Sequence, residues 1–324
     1  MQIQDIFHRY KKDLAMVEKF IEEQHQSHVH LIPEITGYII NSGGKRLRPL
    51  LLMISSDLCG YKGERRFAMA AILEFIHTAS LLHDDIVDHA TIRRGRPSAN
   101  NVWGNSATVL VGDYLYSKSF KVLAEDEDPA VQKLLAITTT TMAEGEIIQL
   151  VKMGEINTSE KEYLSVIEKK TAILISAACA VGAILAKKSE IKIEALTRFG
   201  MRLGMAYQLT DDALDYVAEE EEFGKSIGMD IKEGKTTLPL IRTLKKCSTA
   251  EKELIKKAMG SEDIREDEIT EIVSLINRYK GIEYAMEKAR GYIEEAKKFL
   301  DPFEDTIPKK ALLAISDYII ERKL

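Results

Sequence analysis

Two short segments of the chain carry three aspartates with the same spacing. The triads are HDDIVD at residues 83–88 and TDDALD at 210–215, with carboxylates at Asp84, Asp85, Asp88, Asp211, Asp212 and Asp215. Residues four apart on a helix project from one face, so each triad would place its first and last carboxylates side by side. Hard carboxylate oxygens suit Mg²⁺, which usually keeps several waters and is shared with substrate phosphates. One triad alone could equally be a solvent-facing acidic cluster, but the repeat predicts two triads that converge around Mg²⁺ and a diphosphate.

Cationic side chains are placed where they could complete such a site. In GGKRLRP, at 43–49, the glycines can end one helix and the proline suits the first turn of the next. Lys45 and Arg48 would then lie near a helix N-terminus, which already favours phosphate. Two further cations, Arg93 and Arg94, follow the first triad. Lys170 precedes an apolar helix, and Lys225 and Lys235 lie in FGKSIGMDIKEGK. Each alone has an ordinary surface interpretation, but together they supply more positive charge than one diphosphate requires.

The elements that must position these residues are predicted to be helices throughout. Apolar residues recur at helical spacing, the chain has only seven prolines, and the interruptions are short. No interruption is long enough to be a domain linker. We therefore predict an all-α fold in which residues 1–324 form a single domain, a bundle of roughly ten or more helices around a central cavity. The longest uncharged run, 171–186, is shorter than a bilayer span and is interpreted as a buried central helix.

Charge and cysteine content exclude some classes of function. The net charge of −6 gives no electrostatic support for a nucleic-acid partner. Three widely spaced cysteines are typical of a reducing compartment rather than of a disulfide framework. The first residues carry charges and have no apolar core, so we expect no signal peptide and a cytoplasmic location.

The motifs, taken in order, resemble those of trans-type prenyl diphosphate synthases, the family that makes farnesyl, geranylgeranyl and longer polyprenyl diphosphates. The matching segments are GGKRLRP at 43–49, HTASLLHDDIVD at 77–88, RRGRPS at 93–98, GDYL at 112–115, EGEIIQL at 144–150, KKTA at 169–172, YQLTDDALD at 207–215 and GKSIGMDIKEGKTTLP at 224–239. Any one motif is weak, but the ordered set is specific. The C-terminal third matches only in helical character and in its basic-ended tail.

The resemblance implies roles for the individual residues. The principal ligands of three Mg²⁺ ions bridging an allylic diphosphate would be Asp84, Asp88 and Asp211. Three further aspartates would bind the ions or support them through water; these are Asp85, Asp212 and Asp215. The same diphosphate would be bound by Arg93, Lys170 and Lys225, with Lys235 nearby. A second, metal-free pocket for isopentenyl diphosphate would comprise Lys45, Arg48, His77 and Arg94. The residues facing the developing carbocation would be Thr171 and Gln208.

The implied activity is that of a prenyltransferase that elongates an allylic diphosphate with successive isopentenyl diphosphate units. Mg²⁺ and the cationic side chains would stabilise the departing diphosphate, which would then take the final proton. The family usually forms homodimers, and a long apolar product would favour transient membrane contact at release. Two other kinds of protein are alternatives. A terpene cyclase also ionises an allylic diphosphate, but it would need no isopentenyl site. A non-catalytic regulatory subunit of a prenyl synthase would not need its carboxylates and could lose them.

Product length is predicted from the helix that precedes the first triad. In the family, large aromatic residues at the positions of Ala79 and Ser80 stop growth early, and Ile76 lies further down the same helix. Small residues leave the cavity open, so we predict a long product, with octaprenyl diphosphate for a quinone side chain as the best expectation. A shorter geranylgeranyl or farnesyl product is the alternative, since Ala79 and Ser80 could be small only for close helix packing.

Overall fold

The structure is a computed structural model that describes residues 1–24, 26–44, 46–126, 128–217, 228–259 and 264–321. Regular structure in these ranges is helical except for one two-stranded antiparallel hairpin, which confirms the all-α prediction. Two predicted site residues, Lys45 and Lys225, lie outside the described residues. Across the described ranges, every helix is too short or too polar to cross a membrane.

The chain divides into two compact units. The first unit comprises Met1–Thr139, Ala177–Thr197 and Pro302–Ala314. The second unit comprises Thr140–Ser176, Arg198–Asp301 and Ile315–Leu324. The boundaries of a single domain over residues 1–324 therefore stay a prediction.

The elements follow one another with short connections. The first part of the chain forms α1 (Ile3–Gln24), α2 (Leu31–Asn41), α3 (Leu47–Leu58), α4 (Arg65–Val87), β1 (Ile92–Arg93), β2 (Arg96–Pro97), α5 (Ala99–Trp103), α6 (Asn105–Asp126) and α7 (Pro129–Val151). The middle part forms α8 (Glu160–Ile167), a π-helical turn (Glu168–Ala172), α9 (Ile173–Leu185), α10 (Glu190–Leu214) and α11 (Met229–Lys232). The last part forms α12 (Leu238–Leu244), α13 (Thr249–Met259), α14 (Glu266–Arg278), α15 (Gly281–Lys298) and α16 (Ile307–Glu321).

In the first unit, α1, α3 and α6 pack against α4. The sequence of α4 contains neither glycine nor proline and is rich in alanine, leucine and isoleucine, which favours an uninterrupted helix. Its apolar face is buried, with Phe75 at 0% and Ile76 at 1% exposure. The α6 helix approaches closely at Gly112, where an added Cβ would lie 2.4 Å from Nε2 of His83. A side chain at position 112 would therefore displace the imidazole one residue before the first acidic triad.

A buried arginine joins α1, α3 and α4. Arg66, at the start of α4, donates hydrogen bonds to Asp57 of α3 at 3.0 Å and to Asp13 of α1 at 2.8 Å. The Tyr10 hydroxyl of α1 donates to the other oxygen of Asp57 at 3.2 Å. Removing one partner would leave a buried charge uncompensated, so this network stabilises the helix arrangement that carries the site.

In the second unit, the π-helical turn lies against two glycines. An added Cβ at Gly145 of α7 would lie 2.8 Å from the backbone nitrogen of Lys170. At Gly204 of α10, it would lie 2.5 Å from Cα of Ala172. Because neither glycine has a side chain, both helices reach the backbone of the turn and fix the position of its functional residues.

Candidate active site

The first acidic triad lies at the C-terminal end of α4. Asp85 is fully buried and accepts a hydrogen bond of 2.6 Å from Nε of Arg93, which the β1–β2 hairpin carries. Asp84 and Asp88 are partly exposed. Burial raises the pKa of Asp85, and the Arg93 hydrogen bond opposes this rise. Arg93, predicted to bind diphosphate, therefore forms an ion pair with the central carboxylate of the triad.

A row of partly exposed side chains runs along α4 to this triad. We call it the α4 stripe; it comprises His77, Ser80, Leu81, Asp84 and Asp88. These spacings keep the residues on one helix face. Ala79 and Ile76, the other two residues predicted to set product length, are buried at 0% and 1% exposure. The exposure pattern therefore favours Ser80 over its neighbour as a residue that borders open space.

Arginines surround His77 at the start of this stripe. Burial lowers the pKa of His77 well below its usual value, and the charges of four arginines lower it further; they are Arg48, Arg94, Arg93 and Arg46. The guanidinium of Arg94 lies over Gly44, where an added Cβ would be 3.2 Å from Nη1. The GGKRLRP and RRGRPS motifs thus meet beside a neutral imidazole. We call His77, Arg48 and Arg94 the arginine pocket.

The second acidic triad lies at the end of α10, and its central carboxylate is also buried. Asp212 accepts a hydrogen bond of 2.7 Å from Nε2 of Gln208 and another from the Tyr163 hydroxyl. Burial raises the pKa of Asp212 to about 6, although both hydrogen bonds act to lower it. The Thr171 hydroxyl donates to Oε1 of Gln208 at 2.8 Å. Three predicted residues, Thr171, Gln208 and Asp212, therefore form one chain of hydrogen bonds.

Both outer carboxylates of this triad are partly exposed. Oδ2 of Asp215 accepts a hydrogen bond of 3.0 Å from the backbone nitrogen of Asp230. Burial raises the pKa of Asp230, and the charges of Asp215 and Asp212 raise it further, against the opposing effect of Lys235. Oδ2 of Asp230 is buried and has no hydrogen-bond partner. Asp230 is therefore a fourth carboxylate beside the second triad.

Five of the predicted residues of the second unit line one cleft, whose empty volume is about 730 Å³ when its space open to solvent is included. Its lining includes Lys170, Thr171, Gln208, Asp212 and Lys235, together with Tyr163 and Asp230. Lys170 forms an ion pair with Glu146 at 2.8 Å, and Lys235 forms one with Glu233 at 2.7 Å. A diphosphate bound by these lysines would have to share them with the two glutamates or displace the glutamates.

Sequence reasoning missed several residues that hold or line this cleft. Glu146 lies in EGEIIQL, and Asp230 and Glu233 lie in GKSIGMDIKEGK, so the motifs already contained them. Tyr163 lies in no motif, and the sequence gives no signal that its hydroxyl contacts a carboxylate 49 residues away.

The carboxylates have the chemistry that Mg²⁺ requires. In the described ranges, no three His, Cys, Asp or Glu side chains are grouped as a ready-made metal site. Mg²⁺ is usually held by one or two carboxylates plus waters and phosphates, which the partly exposed Asp84, Asp88 and Asp211 suit. Oδ2 of Asp85 is buried without a hydrogen-bond partner, so a cation or its waters could satisfy it. The residues therefore fit Mg²⁺, while the convergence of the two triads stays a prediction.

Comparisons with known proteins agree with the motifs. The sequence model described as polyprenyl synthetase matches residues 29–276. The octaprenyl diphosphate synthase of Haemophilus influenzae is 38% identical over 99% of this chain and 98% of its own length. The geranylgeranyl diphosphate synthase of Sulfolobus acidocaldarius is 36% identical over 90% of both chains. A polyprenyl synthase from Caulobacter crescentus, crystallised with calcium and isoprenyl diphosphate, superposes with a TM-score of 0.96 at 36% identity and covers 100% of this chain and 98% of its own.

Proposed function

The chain belongs to the polyprenyl synthetase family and is a long-chain trans-prenyltransferase, and we propose that it extends an allylic diphosphate with isopentenyl diphosphate to octaprenyl diphosphate. The observation that carries the two-substrate reaction is the arginine pocket, in which Arg48 and Arg94 flank the neutral His77. Its histidine lies on the same helix as Asp84, and its two arginines suit a second diphosphate that needs no metal. A terpene cyclase, which ionises a single diphosphate, would have no use for it.

The allylic diphosphate is proposed to bind at the acidic triads. When bound, Mg²⁺, which we expect at three ions per site, would supply positive charge for the departing diphosphate. Asp84, Asp88 and Asp211 would hold these ions through their partly exposed carboxylates. Asp85 and Asp212 are already hydrogen-bonded within the protein, so we assign them the supporting role of keeping each triad in place.

Side chains of the cleft are proposed to bind and shield the reacting end of the allylic substrate. Lys170 and Lys235 contribute positive charge for its diphosphate. Because the Thr171 hydroxyl donates its proton to Gln208, its oxygen lone pairs are oriented toward other neighbours, and we propose that they face the allylic cation. No serine or cysteine nucleophile is needed, and the released diphosphate takes the final proton. Water must be excluded until the new C–C bond has formed.

We also propose a homodimer, a cytoplasmic location and transient membrane contact at product release. The exposed apolar side chains of α6, Leu110 at 66% and Phe120 at 41%, offer a surface that a second copy could cover. Cys59, Cys179 and Cys247 form no disulfide, in keeping with a reducing compartment.

The proposed function is tested by incubating the purified protein with farnesyl diphosphate, isopentenyl diphosphate and Mg²⁺. Mass spectrometry of the dephosphorylated products should show octaprenol as the main species. A geranylgeranyl product would support the shorter-chain alternative. A cyclic hydrocarbon would establish a cyclase, and absence of isopentenyl diphosphate consumption would favour a regulatory subunit.

A further inference from the structure

One buried acid of the first unit has no part in the reaction described above. Glu74 lies on α4, one turn before His77, and is only 5% exposed. Burial raises its pKa, and the charges of Arg46, Arg48 and Arg94 oppose that rise. A carboxylate beside a pocket for an anion would weaken that pocket unless its charge were balanced, and Glu74 lies 3.3 Å from an arginine.

The partner of Glu74 is Arg46, the residue that precedes α3. Nη1 of Arg46 donates to Oε2 of Glu74 at 3.3 Å, while Nη2 donates to Glu18 of α1 at 3.4 Å and to the Ile40 carbonyl at 3.0 Å. Nε of Arg46 also donates to Glu18. The guanidinium is therefore held from three sides.

The backbone at Arg46 explains why it needs so many partners. Its φ of 45° lies in the left-handed region, which is unfavourable for a residue with a Cβ and persists only where surrounding contacts fix it. This conformation sets the direction in which α3 begins, and Arg48 lies in the first turn of α3. The guanidinium contacts of Arg46 therefore lie two residues before Arg48, at the point where α3 begins.

We propose that Glu74 is a positioning residue for the isopentenyl diphosphate pocket: by holding Arg46 against Glu18, it fixes the turn that places Arg48 beside His77. This inference rests on the proposed function, because that function supplies the ligand of the pocket. Glu74 need not touch the ligand. Its role differs from that of the acidic triads, since it acts on the second substrate only.

The test is the Glu74→Gln variant, which keeps the shape of the side chain and removes its charge. We expect the KM for isopentenyl diphosphate to rise about tenfold, because the hydrogen bond from Arg46 loses its charge assistance, and the KM for farnesyl diphosphate to change less than about twofold. Calorimetric titration with isopentenyl diphosphate should show the same loss of affinity. Arg46→Lys should reproduce the effect, and adding Glu74→Gln to it should change little more.

Asp57→Asn is the matched control, because Asp57 is also a carboxylate that pairs with an arginine between α3 and α4. It should lower the melting temperature and leave both KM values unchanged. Glu18→Gln is the second test, because Glu18 is partly exposed and its loss is less disruptive to folding. It should raise the KM for isopentenyl diphosphate by a smaller factor than Glu74→Gln does.

Two sets of results would overturn the inference. Tighter isopentenyl diphosphate binding in Glu74→Gln would mean that the acid acts only through its charge. An equal rise in both KM values, or a loss of stability alone as in Asp57→Asn, would mean a general structural role. If the wild-type protein binds isopentenyl diphosphate without consuming it, the proposed function fails, and the titrations still decide the role of Glu74. If it does not bind this compound at all, both proposals fail.

Discussion

The α4 stripe predicts that the same substitution will have different effects at two adjacent positions, Ser80 and Ala79. Ser80 is partly exposed and lies on the stripe, one turn before Asp84, whereas Ala79 is fully buried. The Ser80 hydroxyl donates to the His77 carbonyl at 2.8 Å, a bond within the helix that any larger side chain can give up. Ser80→Phe should therefore place a ring in open space, and Ala79→Phe should force one into packed core.

The two variants should differ in magnitude as well as in kind. Four residues of helix place position 80 about 6 Å from Asp84 along the axis, so an aromatic ring there would stop the growing chain early. A substitution at a partly exposed position changes the free energy of unfolding by only about 0.5 kcal/mol. Overpacking at Ala79 should cost about 1–3 kcal/mol, and the melting temperature should fall by about 2 °C for each kcal/mol.

The assay compares product lengths and melting temperatures for the wild type and both variants under identical substrate ratios. Ser80→Phe should shift the product towards farnesyl or geranylgeranyl length with an unchanged melting temperature. Ala79→Phe should be less stable, with a product length closer to that of the wild type. An unchanged product distribution in Ser80→Phe would refute the reasoning. So would a shortened product from a fully stable Ala79→Phe.

Two further predictions concern the first triad and the start of α8. Asp84→Ala should lower turnover by orders of magnitude with an unchanged melting temperature, and retention of most activity would remove its role as a metal ligand. Glu162 has a pKa lowered to about 2 by hydrogen bonds from Lys152 and from Ser159, whose side chain caps α8. Because folding lowers this pKa, the ionised carboxylate stabilises the folded state at pH values above about 4.5, the pKa in the unfolded chain. This stabilisation is lost as the pH falls towards 2, the pKa in the folded protein. The melting-temperature difference between wild type and Glu162→Gln should therefore shrink from pH 7 to pH 3; a constant difference would contradict this.

The helical framework could be predicted from the sequence because the signals that specify it are local. The uncharged run at 171–186 was interpreted as a buried helix, and α9 confirms it, with every side chain from Ala177 to Val181 at most 1% exposed. The π-helical turn just before α9 could not be predicted, since nothing in EKKTA distinguishes it from an ordinary helical turn. The two glycines that approach its backbone closely, Gly145 and Gly204, lie more than 20 residues away in the sequence.

The candidate site could be predicted only where function imposes a repeated residue type. Both aspartate triads, Thr171 and Gln208 belong to motifs, so the sequence offers them as candidates, and their roles stay predictions. Glu74 was not, because an isolated glutamate in AAILEFIH looks like an ordinary helix residue. Its burial, and the ion pair with a residue 28 positions away, depend on how three helices pack.

The repeated triads are alike in sequence but differ in how the protein holds them. In each, the central carboxylate is buried and bound by protein donors: Arg93 for Asp85, and Gln208 for Asp212. A carboxylate that is buried and hydrogen-bonded in this way cannot turn outward without leaving its donors unpaired, which is costly in the interior. In the proposed metal site, the ions would therefore be held mainly by the outer carboxylates. The second triad is further restricted, because Asp215 accepts the backbone N–H of Asp230. In the proposed metal site, this hydrogen bond would have to break before Oδ2 of Asp215 could bind an ion, so two triads of the same spacing would contribute unequally.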